Sequence, residues 1–172
     1  MVSKTQRSRQ LIEAPEILIQ PGIHDGFSAR LVEQMGFKSA AISCAGLGKT
    51  NVGWADAGLV GFDENLHASG AIAACIDIPV SADADTGYGN AINVHFTERG
   101  FEAEGVDGIM LEDQGWLKRC SHMAGREVIE RPGLAVPFHE LIELIGFGAI
   151  KDMGQRLLTS AQKRAKYGAA AQ

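Results

Sequence analysis

The chain has 172 residues, 45% hydrophobic and 22% charged, with a net charge of −5; that is enough for one domain with a real core and too few for two comfortable ones. Its one basic cluster is the short Lys163-Arg164-Ala165-Lys166, so it lacks the electrostatic footprint of a nucleic-acid binder, and no apolar stretch reaches the roughly 20 residues that span a bilayer. The polar start MVSKTQRSRQ has no apolar run behind it, and Cys44, Cys75 and Cys120 match no zinc spacing, so reduced thiols in a cytoplasmic protein without a secretory signal are expected.

In chain order, Glu16–Gln20 (EILIQ) reads as a short strand ending at Pro21-Gly22. A helix follows, with Ser28 as N-cap, Leu31, Val32 and Met35 on its apolar face, and Gly36 at its end. Ser39–Ser43 is a second, buried strand. Asp63–Ile76 is helical through Leu66, Ile72, Ala73 and Ile76, despite Gly70, and leads into the strand Pro79–Asp83. Ala91–Glu104 is a helix with Ile92, Phe96 and Ala103 inward, followed by the strand Gly108–Glu112. Glu130-Arg131-Pro132-Gly133 interrupts this pattern; a helix (Phe138–Ile145), a short strand (Phe147–Ile150) and a last helix (Gly154–Lys166) come after it.

Strands that are continuous apolar runs, alternating with helices, mark a parallel sheet buried on both faces. The fold expected is an α/β one, a partial (β/α)8 TIM-type barrel with about five β/α units, because a closed barrel needs eight strands and roughly 200 to 250 residues. Residues 1–172 are expected to form a single incomplete barrel domain, with N-terminal β/α units over 1–129 and a C-terminal strand and helices over 130–172. In such folds active sites collect where strands end and helices begin.

Two groups of residues sit at those ends. Asp83 and Asp85 close one strand; residues two apart in an extended strand project to the same side, and the glycines that follow let the chain turn away. Magnesium prefers oxygen ligands and takes one or two carboxylates directly, while the competing reading is that each aspartate caps a turn. The second group is Glu112-Asp113-Gln114, followed by Lys118-Arg119-Cys120-Ser121-His122. Positive neighbours favour a thiolate, so Cys120 is a candidate proton donor or acceptor near neutral pH.

DADTGYGN, GIMLEDQ and KRCSH, preceded by PGIHDGFSARLVEQMGF, resemble the isocitrate lyase and phosphoenolpyruvate mutase superfamily, in particular its 2-methylisocitrate lyase-like members. The resemblance runs from about Pro21 to Val128. It implies that Asp83 binds Mg²⁺ directly, with Mn²⁺ as the alternative ion. Asp85, Asp56 and Glu112 would hold the ion largely through its waters. Ser43, Cys44, Ala45 and Gly46 match the segment that grips the substrate carboxylate, although the family's segment is richer in glycine. Cys120 matches the acid/base cysteine, with Lys118, Arg119 and His122 around it; Ser121 stands where the family has glycine.

The implied activity is magnesium-dependent cleavage of a carbon–carbon bond in a 2-hydroxy di- or tricarboxylate, giving a 2-oxo acid and a carboxylate. The expected partners are a small-molecule carboxylate and further copies of this chain, with no nucleic acid and no membrane. VPFHELIELIGFGAI and GQRLLTSAQKRAKYG resemble the last strand and final helices of the family. The strands that should come between are therefore expected to be absent near Glu130–Val136. That leaves two alternatives open: a non-catalytic or truncated remnant that binds metal or dicarboxylate, and an oxo-acid decarboxylase or phosphonomutase-type reaction on the same fold.

Overall fold

A computed structural model describes residues 2–115, 118–120 and 122–129, and every element below lies in the compact unit Met1–Ile129. Helix α1 (Lys4–Glu13) precedes β1 (Gly22–Ile23), α2 (Gly26–Gln34) and β2 (Ala40–Ile42). A short helix α3 (Cys44–Leu47) then runs into a π-helical turn, Gly48–Val52. The remaining elements are α4 (Phe62–Ala73), β3 (Val80–Asp83), α5 (Ala91–Ala103) and β4 (Gly108–Met110). The four strands pair in parallel in the order β1-β2-β3-β4, so the described residues form consecutive β/α units of a partial barrel. The break, helices and strand expected beyond Glu130 lie outside the described residues, as does Lys163-Arg164-Ala165-Lys166. No helix among the described residues is long and apolar enough to cross a membrane.

Ala40 and Ile42 of β2 and Val80 and Ala82 of β3 are fully buried, and Ile23 and Phe101 complete the same core. At the edge, β4 is only half covered and Met110 is exposed. The end of the sheet opposite the strand C-termini is tied by Asp107, whose carboxylate accepts the Val80 N–H at 3.0 Å and the Thr5 hydroxyl at 3.2 Å. Lys4 donates to the carbonyls of Ala73 and Ile76, both at 3.1 Å, where a cation suits a helix C-terminus.

Several sequence expectations are corrected. Glu16–Gln20 is not a strand; Ile17 and Ile19 are exposed, and the pairing residues are Gly22 and Ile23, opposite Ala41 and Ile42. The N-cap of α2 is Asp25, which accepts the Ser28 N–H at 2.6 Å while the Ser28 hydroxyl accepts the Asp25 N–H at 3.2 Å, a reciprocal capping box. Ser28 is thus its third helical residue. Val32 of that helix is buried, but Leu31 and Met35 face outward. On α5 the inward stripe is Val94, Thr97 and Phe101, and Ile92 and Phe96 are exposed.

Candidate active site

The parallel register brings the strand ends level. Ile23, Ile42 and Ala82 pair across the sheet, and Asp83 pairs with Met110; His24, Ser43, Asp83 and Glu112 therefore emerge along one rim. The strand-alternation argument for the two aspartates does not hold, because β3 ends at Asp83 and Asp85 lies beyond it in left-handed backbone, φ 48°. A backbone contact joins them instead, the Asp85 N–H donating to Asp83 Oδ1 at 3.1 Å.

The turn from Asp83 to Tyr88 is held from four sides. Asn65, fully buried in α4, donates its amide to the Asp83 carbonyl at 2.8 Å and to the Tyr88 hydroxyl at 2.6 Å. Thr97 of α5 donates to the Gly87 carbonyl at 3.1 Å. The Glu112 N–H donates to the Asp85 carbonyl at 2.7 Å, and the Ala84 N–H to the Met110 carbonyl at 2.9 Å. Gly87 is required there: its φ is +90°, and a β-carbon would come within 2.5 Å of Val94. Tyr88 also adopts a left-handed backbone, φ 61°, a costly conformation for a bulky residue.

Lys118 enters this cluster. Its ammonium lies 2.8 Å from Asp56 Oδ1 and contacts Asp85 Oδ1, and all three side chains are largely buried. Burial alone would raise the Asp56 pKa, but the hydrogen bond and charge of Lys118 outweigh it and hold the carboxyl below its usual value. Burial would lower Lys118, and the two carboxylates reverse that and raise it. Asp83 is raised, first by burial and then by the negative charge of Asp85.

Cys120 is half-buried, with its sulfur 3.6 Å from His122 Nδ1. Lys118, expected from the sequence to surround this thiol, turns into the carboxylates, and Arg119 points its guanidinium at the Ala124 carbonyl, 3.5 Å away. The Arg119 N–H donates to Gln114 Oε1 at 3.1 Å, and the Gln114 amide contacts the Glu112 carboxylate. Gln114 thus couples the cysteine segment to the end of β4, a role its sequence position did not signal.

In the segment Ser43–Gly46, the Ser43 hydroxyl accepts the Gly46 N–H at 3.1 Å and caps α3. Cys44 is buried and donates to Asp85 Oδ2 at 3.2 Å; burial, with the Asp85 charge next, pushes its pKa well up, so it stays a thiol. Gly46 packs so closely on His24 that a β-carbon would stand 2.9 Å from the His24 Cβ. His24 escaped the sequence analysis; its position directly after β1 was the available signal. The void bounded by Cys44, Ala45, Asp56 and Asp85 is about 10 Å³, room for about one water.

Among the described residues, no three acidic, histidine or cysteine side chains converge on one ligating point. The expected set of Asp83, Asp85, Asp56 and Glu112 is therefore not a closed cage. Its chemistry still fits a divalent cation: the donors are carboxylate oxygens, and a cation, the Lys118 ammonium, already sits between two of them.

The sequence pattern of the phosphoenolpyruvate phosphomutase family matches residues 8–146. The chain is 38% identical over 125 residues to 2,3-dimethylmalate lyase of Eubacterium barkeri, covering 73% of this chain and 43% of that one. Among solved structures, oxaloacetate acetylhydrolase in complex with 3,3-difluorooxalacetate superposes with a TM-score of 0.74 at 34% identity, over 80% of this chain and 47% of that one. A phosphonopyruvate hydrolase complex with oxalate and Mg²⁺ gives 0.70 at 29% identity, over 79% and 46%. The chain spans less than half the length of each of these proteins.

Proposed function

The chain belongs to the phosphoenolpyruvate mutase/isocitrate lyase superfamily, and from that premise we propose that it carries the magnesium-dependent carbon–carbon lyase chemistry of a 2-methylisocitrate-like enzyme. The substrate class is a 2-hydroxy di- or tricarboxylate. Asp83 would hold the ion directly, with Asp85, Asp56 and Glu112 acting through its waters. When bound, magnesium supplies Lewis-acid stabilisation of charge on the substrate oxygen.

The chain's own residues account for the rest. The Ser43–Gly46 segment receives the substrate carboxylate. The substrate hydroxyl gives its proton to water as the carbon–carbon bond breaks, its oxygen becomes the carbonyl of the 2-oxo acid, and the bond pair leaves on the carboxylate-bearing fragment. Cys120 gives its thiol proton to that fragment, with His122 beside it. The observation that carries this reading is the ion pairing of Lys118, whose ammonium lies 2.8 Å from Asp56 Oδ1 and contacts Asp85, because it draws the segment that holds Cys120, two residues further on, up to the carboxylate cluster.

The test is release of a 2-oxo acid from 2-methylisocitrate, isocitrate and oxaloacetate, in Mg²⁺ and then in EDTA. Turnover that is abolished by EDTA, by Asp83→Ala and by Cys120→Ala is the expected result. Turnover that survives Cys120→Ala would instead support the decarboxylase or mutase alternative. Metal binding by folded protein without turnover on any substrate would identify a non-catalytic remnant.

A further inference from the structure

Asn65 lies on α4, outside every segment that carries the proposed chemistry, yet it is fully buried and all of its polar atoms are engaged. The Asp83 carbonyl can only accept a hydrogen bond, so the atom facing it at 2.8 Å must be the amide nitrogen. The carboxamide oxygen then faces the Ser69 hydroxyl, 2.9 Å away, which donates to it. This leaves the same nitrogen to donate to Tyr88 Oη at 2.6 Å. One amide group thus ties together both ends of the Asp83–Tyr88 turn; the Asp83 carbonyl sets the orientation of that amide, and the Ser69 hydroxyl satisfies its oxygen.

The turn needs such a tie because Asp85 and Tyr88, neither of them glycine, both have left-handed backbone, a conformation that persists only where the surroundings over-determine it. We infer that Asn65 is a positioning residue: by clamping Asp83 and Tyr88 to α4 it fixes the aspartate pair in the orientation that takes a divalent cation. The inference rests on the magnesium reading proposed above. Losing a group that orients metal-binding carboxylates without touching the ion typically costs about 10- to 100-fold in affinity.

The test uses the full chain and Mn²⁺ as the probe, with the bound fraction read by electron paramagnetic resonance and referred to folded protein. Asn65→Leu keeps the side-chain volume and removes the donor; its Mn²⁺ affinity should fall by about tenfold. Tyr88→Phe, which removes one acceptor, should cost about threefold. Ile72→Ala, on the same helix and also buried, should lower the melting temperature and leave affinity unchanged. If Asn65→Leu does not fold, Ser69→Ala and Tyr88→Phe carry the same comparison. Equal affinity in wild type and the clamp variants overturns the inference and leaves the magnesium reading intact. Absence of Mn²⁺ binding by wild type, or binding that survives Asp83→Ala, overturns the magnesium reading and the inference with it.

Discussion

The ammonium of Lys118 stands 2.8 Å from Asp56 Oδ1, and the same nitrogen touches Asp85. Removing one partner of a buried ion pair leaves uncompensated charge, which costs about 3 kcal/mol or more. Lys118→Met should therefore lower stability by about 3 kcal/mol in a chelating buffer. If the carboxylates accept a divalent cation, millimolar Mg²⁺ should restore much of that loss in the variant and do little in wild type. Urea melts with EDTA and with Mg²⁺ measure both effects; a variant that is indifferent to Mg²⁺ would refute cation binding at this cluster.

Gly87 tests the turn by a different route. An alanine there would need a φ of +90° and would push its β-carbon to within 2.5 Å of Val94 Cγ2. The expected cost is about 2 kcal/mol or more, read from a urea melt. Because Thr97 holds the Gly87 carbonyl, the displaced turn should also carry Asp85 away from Lys118, so Mn²⁺ affinity should fall along with stability.

These relationships show how far the sequence reaches. The strands β2 and β3 were legible because Ser39–Ser43 and Pro79–Asp83 are short runs of small and apolar residues that each follow a helical pattern, and Ala40–Ile42 and Val80–Asp83 within them pair in the sheet. The run Glu16–Gln20 looked the same, yet Ile17 is exposed: an apolar run does not say which two of its neighbours the sheet will pair. On α5, two stripes satisfy the helical period, and Phe96 suggested the wrong one. The buried stripe holds Thr97, whose hydroxyl is needed by the Gly87 carbonyl, a requirement that hydrophobic periodicity does not register. Asp83 and Asp85 were visible as carboxylates at a strand end. Asn65 was not, because a single asparagine within a helix signals nothing until the fold sets it against a turn 18 residues away. For the same reason KRCSH suggested Lys118 as a neighbour of the thiol, while its carboxylate partners are the distant Asp56 and Asp85.

Phe101 is the largest fully buried side chain among the described residues and stacks edge-on against Phe62, with ring centroids 6.1 Å apart. Truncation to alanine would cost about 3–5 kcal/mol, a large share of the roughly 5–15 kcal/mol that holds a domain together. Phe101→Ala should melt well below wild type in a thermal scan. Mg²⁺ should raise the melting temperatures of wild type and variant by similar amounts, because Phe101 lies among the core residues and touches none of the site carboxylates described above.

Glu98, half-buried on α5, has its pKa raised above the ordinary 4.5, first by burial and then by Glu102, with His95 offsetting part of the rise. A raised folded pKa means that folding favours the protonated form. The contribution of Glu98 is therefore fully present below the unfolded value and is lost as pH climbs through the folded one. Glu98→Gln copies the neutral form at every pH. The variant should be more stable than wild type at pH 7, by about a few tenths of a kcal/mol because solvent screens a half-exposed group, and the advantage should vanish by pH 4. Thermal melts of both proteins across that range decide it; an advantage that persists undiminished at pH 4 would mean that the gain comes from packing of the amide and not from the charge.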